Sequence, residues 1–197
     1  MRKIATIVIL VLAIPLTVGF LSVCMAEEAE LKIERFSQAA FQDFGKVLAI
    51  PGDTPTYSDQ RLDWWSTIGV LPGSVVGDFE VSLLTCRKRG MTFNSLERHV
   101  QSPELLLALD DDVISAFAPA RDLDDPDARP ALGDVRAFKI PQDQGFLVET
   151  GTWHLLPTCA TKDECLMLVI FKRDTGANDL TFGQIEGAEN VRLIYGY

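Results

Sequence analysis

The sequence predicts an all-β domain, a sandwich or barrel of the jelly-roll kind, preceded by one short helix. Two observations predict it. From about residue 62 onward, short runs rich in Val, Ile, Leu and Phe follow one another, separated by Pro-Gly, Asp-Asp and Asp-Pro turns. Helical spacing is confined to a single stretch ahead of them, and many short strands with little helix describe a closed or double-sheet β architecture.

The elements follow in order. Arg2 and Lys3 precede an uncharged apolar run, Ile4 to Val23, and Ala26 stands before the acidic start of the next segment. A basic start, an apolar middle and a small residue ahead of polar sequence describe a secretory signal. About 20 apolar residues can also span a bilayer, so an N-terminal anchor is the alternative, and lipidation at Cys24 a third version that the bulky Val23 before it weakens. Residues 1–26 are thus a signal peptide or membrane anchor, and the protein is exported to a periplasmic or extracellular setting or held at the membrane through residues 4–23. The remainder, 27–197, is expected to form one domain. It carries 16 basic groups against 28 acidic ones, a net charge of −12. Phosphate recognition needs the opposite balance, which excludes a nucleic-acid partner.

In "ERFSQAAFQDFGKVLAI", apolar Phe36, Ala39, Ala40, Phe41 and Phe44 predict a short helix closed by Gly45, with a strand after it. "PGDTPTYSDQ" is loop. The strands expected beyond it are "WWSTIGVL", "FEVSLLTCRKR", "TFNSLERHV", "ELLLALD", "VISAFAPA", "VRAFKI", "GFLVETGTWHLL", "CLMLVIFKR" and "VRLIYGY". "RDLDDPDARPALGD" is an acidic loop, and the "DDD" and "DDPD" runs are read as solvated turns because neither has a calcium-loop spacing. Cys159 and Cys165 enclose "ATKDE" between two apolar runs, the arrangement of a disulfide across a hairpin loop in an oxidising compartment. Cys86 reads as a small buried hydrophobe. Trp64, Trp65 and Trp153 are expected in core or rim packing.

The chemistry-bearing residues are few. The chain has two histidines, His99 in "LERHVQSPE" and His154 in "ETGTWH". Along a strand Glu97 and His99 share one face with Arg98 opposite, and Thr152 and His154 share one face with Trp153 opposite. Each histidine is either a hydrogen-bonded strand residue at a barrel mouth or one of a pair lining a pocket. The sequence contains no G-x-S-x-G, C-x-x-C, P-loop or G-x-G-x-x-G, so those reaction classes lack support, and no organic cofactor is expected.

Four short motifs stand in order: Glu97-Arg98-His99, Arg136-Ala137-Phe138, Gln144-Gly145 and Gly151-Thr152-Trp153-His154. Over residues 34–185 this pattern resembles the ureidoglycolate lyase family of cupin-like β-barrel proteins. The resemblance implies a cupin-type double-stranded β-helix, a homodimer, and cleavage of ureidoglycolate to glyoxylate and urea, a carbon–nitrogen lyase step of allantoin breakdown. That reaction needs a base, here His99 or His154, and a cation for the substrate carboxylate, here Arg98 or Arg136. The sequence departs from the family where a Gln is replaced by Glu104, a His by Glu149 and a second His by Leu155. Added negative charge opposes an anionic substrate. The same changes make His99, Glu104, Glu149 and His154 a two-nitrogen, two-oxygen set for one divalent metal, Zn, Mn, Fe or Ni. Two alternatives follow: an exported metal-dependent cupin acting on another small hydroxylated compound such as a sugar acid, and a non-catalytic small-molecule-binding cupin.

Overall fold

The structure is a computed structural model that describes residues 28–48, 54, 57–58, 63–64 and 77–195. The expected signal or anchor, Trp65 and most of "WWSTIGVL" lie outside the described residues. The chain runs through β1 (Glu28–Arg35), α1 (Gln38–Phe41), β2 (Gly45–Leu48), β3 (Tyr57–Ser58), β4 (Asp63–Trp64), β5 (Phe79–Arg87), β6 (Thr92–Phe93), β7 (Ser95–Arg98), β8 (Glu104–Ala108) and β9 (Val113–Ala118). It continues through β10 (Arg136–Ile140), β11 (Gly145–Val148), β12 (Trp153–His154), β13 (Thr158–Cys159), β14 (Glu164–Lys172), α2 (Thr175–Asn178), β15 (Thr181–Gln184) and β16 (Asn190–Tyr195). Among the described residues no helix is long and apolar enough to cross a membrane.

These strands form an all-β, double-sheet jelly roll. One large sheet has the order β15-β7-β12-β9-β10-β1-β16-β6, with β13 also on β9, a second the order β2-β11-β8-β14-β5, and β3 and β4 pair separately. Pairing is antiparallel except for β1, which runs parallel to both β10 and β16. The strands expected within the described residues are present, with two of them broken. "TFNSLERHV" divides into β6 and β7, and "GFLVETGTWHLL" divides into β11 and β12 around a turn in which Gly151 takes φ +82°. Strands β1, β3, β13 and β15 and helix α2 add to the expected set, with β3 standing in "PGDTPTYSDQ", which was expected to be loop.

The space between the sheets is filled by apolar side chains from both. Phe36, Phe41, Phe44, Phe117, Phe138 and Phe146 form its aromatic centre, with Phe36 and Phe41 4.9 Å apart and mostly edge-on contacts around them. Helix α1 exists to deliver Phe41. Its first turn is capped by the Ser37 hydroxyl, which accepts from Ala40 N at 3.3 Å. Gly45 then lets β2 pass under β11, because a Cβ there would lie 1.8 Å from the Leu147 carbonyl oxygen. A second core, with Ile33, Leu96, Trp153, Ile185, Val191 and Leu193, covers the other face of the larger sheet.

Cys159 and Cys165 are joined by a disulfide with Cα atoms 5.7 Å apart, and Cys86 is a free, buried thiol whose pKa burial pushes up to about 11. The "DDD" run differs from its expected role as a solvated turn. Asp111 is buried and accepts from Thr161 N at 3.0 Å and Lys162 N at 2.9 Å, while Asp110 accepts from Leu166 N at 2.7 Å. These carboxylates cap the hairpin that the disulfide closes, because its backbone donors need acceptors and the loop supplies few.

A buried histidine and glutamate centre between the sheets

His99 follows directly on β7, His154 ends β12, and Glu104 begins β8. The two sheets thereby bring three residues from different chain segments to one point. One nitrogen or oxygen from each lies within 4.8 Å of the others, and all three residues are buried. Strand pairing sets the register: His154 lies directly opposite Glu97 across β12 and β7. Glu97 completes the group, with its Oε1 3.6 Å from His154 Nε2, while Glu104 Oε2 is 3.4 Å from the same nitrogen.

The imidazoles are oriented by the backbone. His154 Nδ1 lies 3.0 Å from the carbonyl of Thr152, and His99 Nδ1 lies 2.6 Å from the carbonyl of Asp179. A carbonyl can only accept, so each Nδ1 is the protonated nitrogen and each Nε2 keeps its lone pair. Asp179 is itself fixed, since its carboxylate accepts from Val100 N at 2.9 Å and Gln101 N at 2.7 Å. The rings stand 5.2 Å apart, centre to centre.

Burial governs the charges. Desolvation, followed by repulsion from Glu97, pushes the Glu104 carboxyl up to about 8. Desolvation, followed by the neighbouring His99 ring, pushes His154 down to about 4. Glu97 is also raised, chiefly by desolvation, with His99 and then Arg89 opposing. Glu104 Oε2 is buried without a hydrogen-bond partner, an arrangement that costs free energy unless something else meets the oxygen. Glu97, Glu104 and His154 border a cavity of about 20 Å³ walled by Leu84, Leu106, Phe117, Phe146, Leu156 and Pro157. That is room for about one water-sized ligand.

The donor set fits a divalent metal. Two neutral imidazole nitrogens and a carboxylate, with backbone carbonyls fixing both tautomers, make a three-ligand site with an open side. His99, Glu104 and His154 would hold the ion, and Glu97 borders the open side. Glu149, expected as a fourth ligand, is not there. It is exposed on the turn between β11 and β12, where its backbone N–H bonds Phe44 O at 3.0 Å. Glu149 and His154 are five residues apart, so even an unbroken strand would have placed them on opposite faces.

Neither arginine reaches the cavity. Arg98 leaves β7 on the opposite face and is fully buried, its guanidinium carbon 4.5 Å from the Trp153 ring centre. Its Nη1 donates to Arg121 O at 3.0 Å and its Nη2 to Asp125 O at 2.7 Å, which pins the acidic loop. Arg136 lies on β10, where Nε donates to Glu34 Oε1 at 2.8 Å and Nη1 to Ala40 O at 2.8 Å. Both are structural ties, so the expected carboxylate clamp is not formed by either. The residue that sequence reasoning passed over is Glu97. Its shared face with His99 was the available signal, and only the pairing of β7 with β12 turns that into proximity to His154.

Comparison with known proteins adds a family. Residues 50–195 match the model of a family described as a domain of unknown function (DUF4867). No curated protein matches the chain. Among solved structures it is similar to RmlC from Streptococcus suis in complex with dTDP-D-xylose, with 17% identity, 66% of this chain and 71% of that one covered, and a TM-score of 0.37. It is similar also to an oxalate decarboxylase of Bacillus subtilis, with 15% identity and a TM-score of 0.36 over 50% of this chain. The chain spans 22% of the length of that decarboxylase. A third is a mutant of the 3,4-ketoisomerase QdtA from Thermoanaerobacterium thermosaccharolyticum, with 15% identity, 51% of this chain and 63% of that one covered, and a TM-score of 0.34.

Proposed function

The chain belongs to the DUF4867 family, and from that premise we propose that it is a cupin-type enzyme that holds one divalent metal through His99, Glu104 and His154 and acts on a small hydroxylated compound. The observation that carries the reading is the unpartnered, buried Glu104 oxygen set 3.4 Å from an imidazole nitrogen whose lone pair is free. A divalent ion there supplies Lewis acidity toward a substrate oxygen. The protein supplies the rest. Thr152 and Asp179 hold the two rings in the tautomer that leaves Nε2 available. Glu97, raised by burial and next to the open side, accepts the proton of a substrate hydroxyl at its carboxylate. The apolar walls exclude bulk water. A substrate larger than the cavity needs the Leu156–Pro157 wall to shift, and Arg89, which donates to both carbonyls, ties that wall down. The disulfide supports reading residues 1–26 as an export signal or anchor.

A second reading is ureidoglycolate cleavage, favoured by the ordered motifs that end in Gly151-Thr152-Trp153-His154. Proton removal at the hydroxyl while urea leaves would fall to Glu97. It stands second because Arg98 and Arg136 are engaged elsewhere and Glu104 adds a carboxyl to the cavity. The test is metal analysis of the purified chain beside a urea-release assay with ureidoglycolate. Bound metal without urea release favours the first reading, and urea release restores the second. Absence of metal and of turnover leaves a small-molecule-binding protein and ends both.

A further inference from the structure

We propose that a second copy of this chain docks edge to edge on β5, joining the two five-stranded sheets across a two-fold axis. Strand β5 ends its sheet, and among the described residues no strand pairs with its other side. Lys88 N donates to Asp163 O and Arg173 N to Asp78 O, both at 2.8 Å, so the even-numbered residues bond toward β14. The N–H and C=O groups of Phe79, Val81, Leu83 and Thr85 therefore face the open side. Beyond them the edge is closed, because Thr158 Oγ1 accepts from Arg89 N at 2.9 Å. The outward side chains of the open run are apolar: Phe79 is 40% exposed, and Val81 and Leu83 are each 67% exposed.

An open strand with apolar outward residues is ordinarily blunted by Lys, Pro or a bulge, and the run from Phe79 to Thr85 has neither residue. Its charges say what fits it. Asp78 and Glu80 stand at one end, and Arg87, Lys88 and Arg89 at the other. A parallel copy would set acid against acid and base against base. An antiparallel copy reverses this and is complementary to itself. Pairing about Ser82 places Phe79 opposite Thr85 and Val81 opposite Leu83, which lets every open N–H and C=O of the run find a partner. Asp78 of one copy then lies diagonally across from Lys88 of the other, within reach of a long side chain.

The test uses the full chain in mild detergent, which keeps residues 4–23 solvated. Ser82 would face its own counterpart as a non-hydrogen-bonded pair with Cα atoms about 4.5 Å apart, within disulfide range. Ser82→Cys is expected to cross-link into a covalent dimer under mild oxidation at least about tenfold faster than the parent chain or Thr92→Cys on the edge strand β6. Adding Val81→Lys and Leu83→Lys is expected to abolish that cross-link and to shift the chain from dimer to monomer in light scattering, with its circular dichroism unchanged. A parent chain that is monomeric at tens of micromolar, or a Ser82→Cys chain that links no faster than Thr92→Cys, overturns the proposal.

Discussion

His154 Nε2 lies 3.4 Å from Glu104 Oε2, and that oxygen has no hydrogen-bond partner. The two atoms belong to opposite sheets, so the contact exists only because the jelly roll closes. The carboxyl is held above the usual range and the imidazole below it, so both are neutral near pH 7 without an ion. A cation reverses the preference for Glu104, since a positive charge beside a carboxyl favours its ionised form.

Metal content is the first prediction. The chain purified without chelator should contain close to one divalent ion per copy by mass spectrometry of the elements. His99→Ala, Glu104→Gln and His154→Ala should each lower affinity at least about tenfold, in line with losses typical of metal-site partners. Glu149→Gln should retain the metal, because its side chain is on the outside. Equal metal loss in Glu149→Gln would contradict the assigned ligand set.

The second concerns pH, in chelator-stripped protein. The folded pKa of Glu104, about 8, lies above its ordinary 4.5, so its contribution to stability is complete below pH 4.5 and disappears as the pH rises through 8. His154, lowered from 6.5 to about 4, contributes fully above pH 6.5 and loses this as the pH falls through 4. Between pH 6.5 and 8 only the Glu104 effect remains of the two. Stability measured by urea unfolding should fall across that window, and Glu104→Gln should lose roughly 1–2 kcal/mol less over it. An unchanged slope in the variant would show that the carboxyl titrates normally.

Arg98 supplies the third. Arg98→Met keeps much of the packing on Trp153 but strands the carbonyls of Arg121 and Asp125. The expected cost is about 2–4 kcal/mol, with faster proteolysis within residues 121–129 and unchanged metal content. Loss of metal at full stability would instead place Arg98 in the site's machinery.

Gly45 supplies the fourth. In Gly45→Ala the new Cβ would meet Leu147 O at 1.8 Å and Leu147 C at 2.9 Å, both backbone atoms that cannot swing aside. The pairing of β2 with β11 must open, at a cost of about 3 kcal/mol or more. Thermal unfolding checks it, and a melting temperature within about two degrees of the parent would refute the close approach.

Much of this was legible beforehand. Short runs rich in Val, Ile, Leu and Phe, split by turn residues, marked β5, β8, β9, β10, β14 and β16, because strands that face a shared core draw on those side chains. The apolar spacing from Phe36 to Phe44 marked the helix for equally local reasons, although α1 ends at Phe41 and Gly45 opens β2 instead of closing the helix. The opposite facing of Glu97 and His99 to Arg98, and of His154 to Trp153, followed from the same period. Glu149 was misplaced against that same period, since five residues separate it from His154 and an odd separation sets two strand residues on opposite faces.

The residue types available for chemistry, the strand character of their surroundings and the spacing of the cysteines were therefore set by the sequence itself, through forces that act between near neighbours. The tertiary structure alone decided which of these residues meet. His154 stands opposite Glu97 through the register of β12 on β7, and Glu104 reaches both only when the second sheet closes over the first. Register and closure come from packing the phenylalanine-rich core, an interaction among residues far apart in the chain. The same closure removes Glu104 from water and gives its carboxyl an environment that no local segment could supply.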